Sequence, residues 1–339
     1  MNVIHESGLL LLGIYGLIVF PGAWGFLYFE RKLVADLQAR VGPNRTFGKG
    51  FFQPVADLLK SLQKADEGTK GFLKRLALTI YVMALFSTVA VLPLGSFALL
   101  IDSDMSAFLP FWIALSLALA VSVLGYEQRT VAGWLGSSRV SAQAFAGAVP
   151  ALLTLICVGI RAGSFKWSRL ADSQSFSPLH WAIFSNPFQF LAFFIFLASG
   201  LILLSADPAN SGSASPEIHG GVASDLTGFR GSLMRLSRYY AFFLWSLITA
   251  VMFLGGWKIP FQLHQALIEN SITALLSALE ILVLLSKTYF LMFIIVWMSK
   301  STPRGRVDQV TNLSWKVLSP LALLTLVGSG FWAGIKALL

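Results

Sequence analysis

Eight stretches of predominantly apolar residues follow one another along this 339-residue chain, and no other feature limits its fold as strongly. They run from Gly8 to Phe29, Leu76 to Leu100, Ala107 to Gly125, Ser141 to Ile160, Pro187 to Ser205, Tyr239 to Gly256, Ile272 to Met298 and Lys316 to Leu338. A helix needs about 20 such residues to cross roughly 30 Å of hydrocarbon. The stretches are too long, and alternate too weakly, for barrel strands of about 10 residues, so helices are left to satisfy the backbone in lipid. The expected fold class is all-α: a polytopic membrane protein with about eight transmembrane helices in one integral membrane domain, 1–339. Composition agrees, since 56% of residues are hydrophobic and 12% charged, against about 25% charged in soluble domains. No Lys or Arg precedes the first stretch and no small-residue cleavage site follows it before Glu30. It is therefore expected to persist as helix one rather than to be removed as a signal peptide.

Ten of the 25 Lys and Arg residues lie between Arg31 and Arg75, with two, three and four more in the third, fifth and seventh loops. By the positive-inside rule the odd loops are cytoplasmic and both termini lie on the outer face. The net charge of +9 is then a topology signal, and no nucleic-acid partner is expected.

Cys157, inside an apolar stretch, is the sole cysteine, which excludes intrachain disulfides and cysteine-ligated iron–sulfur clusters. His5, His180, His219 and His264 lack the spacing of metal ligands on one helical face. No phosphate-binding glycine loop occurs, so the chain has no visible means of holding a nucleotide. If it belongs to a redox assembly, its partners hold the cofactors.

The loop after helix one, residues 30–75, opens with "ERKLVADLQARVGPNR". Gly42, Pro43 and Asn44 favour a turn. In "QPVADLLKSLQK", Val55, Leu58, Leu59 and Leu62 follow helical spacing and Pro54 suits a helix start, while Asp57, Lys60 and Lys64 mark a polar side. That pattern predicts an amphipathic surface helix in the cytoplasmic interface. A purely topogenic basic loop is the alternative reading.

The same residues carry a resemblance. "ERK…Q.RVGPNR…G..QP.AD..K" is similar to the signature of the H-type subunit of bacterial NADH-quinone oxidoreductase, respiratory complex I. "KTYFLMFIIVW" from Lys287, "PRGRVDQV", "WKVLSPLAL" from Trp315, "AGW" at Ala132 and "FLGGW" at Phe253 resemble further blocks of that family. The resemblance implies a subunit of the bacterial inner membrane beneath a hydrophilic redox arm, forming much of the cavity where a quinone headgroup is reduced. It implies Glu30, Arg31, Arg40, Asn44, Asp57, Lys60 and Arg230 as cavity residues. It implies Asp66, Asp207, Glu217, Asp225 and Lys287 as candidates for coupling reduction to proton translocation. No residue of the chain is assigned as catalytic. Quinone is the substrate, FMN and iron–sulfur clusters belong to partner subunits, and the other partners are peripheral and membrane subunits and lipid.

Several acids of the family pattern are missing. Ala148 stands where AQ..SYE.P has its glutamate, Ala65 replaces an acid beside Asp66, and Arg238 falls where the AEY motif has glutamate. The fifth loop, 206–238, keeps only Glu217 and Asp225 of a normally acidic segment, and the stretch between Trp134 and Arg139 is short. A carboxylate can exchange a proton near neutral pH when burial raises its pKa; alanine and arginine cannot. Glu127 and Arg129 stand where related chains are mostly apolar, and are read either as replacement charges or as interfacial residues at a helix end. Glu280 and Lys287, seven residues apart, share a face about 10 Å apart and do not pair; Glu280 is read as a polar spot against a neighbouring helix. A quinone-free anchor in a complex I-like membrane-bound hydrogenase is the second functional reading, strengthened by the missing acids. A solute carrier is the third, weakened by the lack of an internal repeat.

Overall fold

A computed structural model describes residues 22, 24–64, 71–91, 93–95, 102–206, 209–210, 228–259 and 273–338. Among them every regular element is helical. The first, α1, covers 24–37; then come α2 (Gln53–Gln63), α3 (Phe72–Val91), α4 (Leu109–Glu127) and α5 (Val131–Ala162). Two short helices, α6 (Trp167–Asp172) and α7 (Ala182–Ser185), precede α8 (Pro187–Leu203), α9 (Gly228–Phe253) and α10 (Thr273–Ser301). The run closes with α11 (Val307–Leu313), a π-helical turn at Ser314–Leu318, and α12 (Ser319–Leu338).

Among the described residues, four helical segments are long and apolar enough to cross a membrane: Ser106–Glu127, Val131–Ala162, Leu275–Ser301 and Val307–Ile335. Pro187–Leu203 and Arg238–Phe253 are apolar but shorter. Most of the first expected span lies outside the described residues. The helix there continues past Phe29 to residue 37, which puts Glu30 and Arg31 on α1 itself. The helix of the second expected span ends at Val91, short of Leu100, just before Pro93; proline disfavours the helical conformation of the residue ahead of it. The helix of the fourth begins at Val131, ten residues ahead of Ser141, because Thr130 caps it by accepting a hydrogen bond from the Gly133 amide.

Helix α5 is the centre of the bundle, packed on α4, α8 and α12. Small residues permit this, as in other membrane bundles: a Cβ on Gly147 would lie 2.7 Å from the Leu203 amide nitrogen on α8. Pro150 interrupts the α5 ladder and leaves the carbonyl of Ala146 without its i+4 amide. Ser314, at the head of the π turn, donates its hydroxyl to that carbonyl. Between α8 and α9, Trp245 stacks on Phe196 at 4.4 Å and donates to the Phe196 carbonyl at 3.2 Å.

Helix α2 packs on α9. Pro54 and Ser61 are buried and Asp57 and Leu58 half-buried, while Leu59 and Lys60 are exposed. The expected polar side is therefore split, since Asp57 turns inward to a cationic partner and Lys60 and Lys64 stay out.

Candidate functional site

Glu30 and Arg31 are neighbours on α1, so their side chains leave the helix about 100° apart and reach different elements. Arg31 donates through Nη1 to Asp57 Oδ2 on α2 at 2.6 Å, and Gln53 Nε2 donates to Asp57 Oδ1 at 3.0 Å. Glu30 Oε1 lies 3.7 Å from Lys300 Nζ at the end of α10, and the hydroxyl of Tyr239 on α9 interacts with the same carboxylate. Four helices thus meet in one polar group. Burial pushes the Asp57 carboxyl up, but the hydrogen bonds from Arg31 and Gln53 and the charges of Arg31 and Lys60 outweigh it and hold the group below its ordinary value. Asp57 is consequently an anion at neutral pH, suited to fixing Arg31 rather than to exchanging protons. Only one of the five guanidinium N–H donors of Arg31 is used by Asp57.

The loop between α1 and α2 is tied down by aromatic residues. Trp24 Nε1 donates to the Phe51 carbonyl at 2.9 Å and Trp24 stacks on the Phe51 ring at 5.8 Å, with Phe52 edge-on to both. Gly50, at φ +94°, lies so close to Pro43 that a Cβ would be 2.2 Å from the Pro43 oxygen, which closes the expected turn on itself. Arg40 donates to Gln38 Oε1 at 2.7 Å and Asn44 is exposed; neither joins the group around Asp57. Arg230 lies in the first turn of α9. Asp66, Asp207, Glu217 and Asp225 lie outside the described residues, as does Ala65.

Lys287 occupies a different place. Its Nζ donates at 2.8 Å to the carbonyls of both Leu254 and Gly256, just beyond α9, and sits 4.3 Å from the ring centre of Trp181. A cation at a helix C-terminus satisfies carbonyls that have no amide of their own. Gln174, 1% exposed, braces the same end, donating to the Val251 carbonyl at 2.9 Å and accepting from the Gly255 amide at 2.8 Å. Glu280 is buried on α10, its Oε2 3.2 Å from where a Cβ on Gly95 would stand.

Sequence reasoning missed Lys300, Tyr239, Gln53 and Gln174. Gln53 was within reach of it, because it stands one helical turn before Asp57 on the same face. The other three act across long sequence separations that carry no local signal.

The chain matches the family model described as NADH dehydrogenase over residues 10–329. It belongs to that family. It is 30% identical to the H-type subunit of NADH-quinone oxidoreductase from Chlorobaculum parvum over 314 residues, 90% of this chain and 86% of the relative. To NADH-quinone oxidoreductase subunit 8 of Rhodothermus marinus it is 30% identical, with 89% of each chain covered. To the H-type subunit of F(420)H(2) dehydrogenase from Methanosarcina mazei it is 31% identical, covering 96% of this chain and 93% of the relative.

Two positions at which the resemblance leads one to expect an acid have surroundings that suit the residues present. Ala148 is 7% exposed within the main apolar cluster, with Ala144, Ala151 and Leu155 of the same helix, surroundings that favour an uncharged side chain. Arg238 donates to the carbonyl of Ser205, just past the end of α8. There a cation is favoured and a glutamate would be repelled by the helix dipole.

Proposed function

We propose that the chain is the membrane subunit that shapes the quinone site of a complex I-type NADH:quinone oxidoreductase and links quinone reduction to proton translocation. In this reading it crosses a bacterial inner membrane eight times with both termini outward, and α2 lies in the cytoplasmic interface. It carries no cofactor; FMN and iron–sulfur clusters sit in partner subunits. The observation that carries the reading is the Arg31–Asp57–Gln53 group between α1 and α2, in a chain matched to the family over nearly its whole length. A fixed guanidinium with unused donors can hydrogen-bond a quinone carbonyl, and the Trp24, Phe51 and Phe52 rings grouped in the loop between α1 and α2 offer apolar faces for its plane. The coupling roles of Asp66, Asp207, Glu217, Asp225 and Lys287 belong to the same proposal.

The relatives that belong to F(420)H(2) dehydrogenases favour a second reading, in which the same membrane subunit serves a different electron donor. One experiment decides between them: purification of the tagged chain from its native membrane in mild detergent, with mass spectrometry of bound subunits and quinone-reduction assays using NADH and F(420)H(2). NADH-oxidising and iron–sulfur subunits with NADH-dependent quinone reduction support the first reading. Activity with F(420)H(2) alone supports the second. A nickel–iron hydrogenase module, or no redox partner, refutes both.

A further inference from the structure

A cleft opens at the turn between α4 and α5, lined by residues other than those around Asp57. It has a volume of about 460 Å³ and is lined by Leu73, Tyr126, Glu127, Arg129 and Trp134. Glu127 ends α4 and is 6% exposed, yet it makes no hydrogen bond or ion pair among the described residues. Its carboxylate rests against Gly71: a Cβ there would fall 1.4 Å from Oε1, so the acid occupies space that only a glycine leaves. The two aromatic rings beside it are stacked at 6.1 Å with 24° between their planes, and Trp134 Nε1 donates to the Tyr126 carbonyl at 3.1 Å. Both rings remain about half exposed, at 59% for Tyr126 and 51% for Trp134. Arg129 is also exposed, held at φ +56°, and it does not pair with Glu127.

A carboxylate that is mostly covered by the protein, opens only into a cleft and has no partner among the described residues is stabilised by a cation that enters from outside. Aromatic faces at the mouth of the cleft add cation–π attraction for an ammonium or guanidinium. We infer that this cleft receives a lysine or arginine side chain of another subunit, with Glu127 as its counter-ion and Tyr126 and Trp134 as its walls. The inference rests on the reading of the chain as one subunit of a larger assembly. It places a contact with another subunit at the turn between α4 and α5.

The test uses the assembly purified from its native membrane, with a benzophenone photo-cross-linking side chain at position 129 and, in a second strain, at position 73. Each probe is combined with wild-type Glu127, with Glu127→Gln and with Glu127→Asp. The expected result is an adduct from one or both probe positions to a Lys- or Arg-bearing segment of another subunit. Its yield should fall about tenfold in Glu127→Gln, equivalent to about 1.4 kcal/mol of lost affinity, and be retained in Glu127→Asp. The amide mimics a protonated acid, so a partner adduct of unchanged yield in Glu127→Gln means that a proton suffices, and overturns the inference. Adducts only to lipid or to this chain overturn it as well. Redox subunits and quinone reduction are scored in the same preparation. Failure of the quinone-site reading is therefore visible independently of the adduct pattern.

Discussion

Arg31 on α1 and Asp57 on α2 are joined at 2.6 Å, and this contact fastens α2 to α1. The pair is only partly shielded, with 36% and 39% of the two side chains exposed. Its importance therefore lies in orientation rather than in stability, since solvent-screened pairs contribute about 0–1 kcal/mol.

Arg31→Ala and Asp57→Asn should each lower quinone reduction by about tenfold, the effect of about 1.4 kcal/mol of lost transition-state stabilisation. Electron transfer from NADH to a soluble acceptor should be unchanged. Equal loss of both activities in the purified assembly would show that the pair supports assembly and not the quinone site.

The depressed pKa of Asp57 gives a signed expectation for pH. Its contribution to stability is fully present above the ordinary value of 3.8 and is lost as pH falls through the lower folded value. The difference in melting temperature between wild type and Asp57→Asn should be flat from about pH 8 to pH 5 and shrink below about pH 4. Thermal melts across that range check it; a difference that changes near neutral pH would point to another titrating group.

Lys287→Met should leave the carbonyls of Leu254 and Gly256 without their donor. Each unsatisfied buried acceptor costs about 1–3 kcal/mol. The variant should melt well below wild type, and Trp181→Leu should lose less, about 0.5–2 kcal/mol. Because both side chains meet at one place, the double variant should lose less than the sum of the two. Strict additivity in detergent melts would mean that the cation and the ring do not interact.

Ala148→Glu introduces an acid into the apolar centre of α5. The insertion penalty is at least about 2.5–3.5 kcal/mol, so stability should fall. If this position lies on the proton path, the number of protons moved per NADH should change in proteoliposomes. An unaltered ratio would place the path elsewhere.

Much of the helical layout is legible in the sequence because lipid imposes both a length and a composition on each span. Hydropathy predicts a span from Pro187 to Ser205, and α8 runs from Pro187 to Leu203; it predicts another from Ala107 to Gly125, and α4 runs from Leu109 to Glu127. Hydropathy marks hydrocarbon thickness and not helix length, which is why α5 begins well before its apolar stretch. Residue types at the first loop are informative too, since the family resemblance singles out Arg31 and Asp57 together. Their bond is not legible there, and neither is the inward turn of Asp57, because helical periodicity knows nothing of a cation on another helix. Lys287 and Gln174 mark the limit most clearly. Both serve the end of α9 from distant parts of the chain, and their roles become visible only when the bundle is closed.

The bond from Ser314 to the carbonyl that Pro150 strands also bears on how the chain enters a membrane. A chain threaded into the bilayer from its N-terminus emerges with α5 long before residue 314 exists. Until the last span arrives, α5 holds an unanswered acceptor, which hydrocarbon penalises by several kcal/mol. That stranded carbonyl favours a protein or hydrated neighbourhood for α5 over bare hydrocarbon, and the segment carrying Ser314 supplies the donor that settles it.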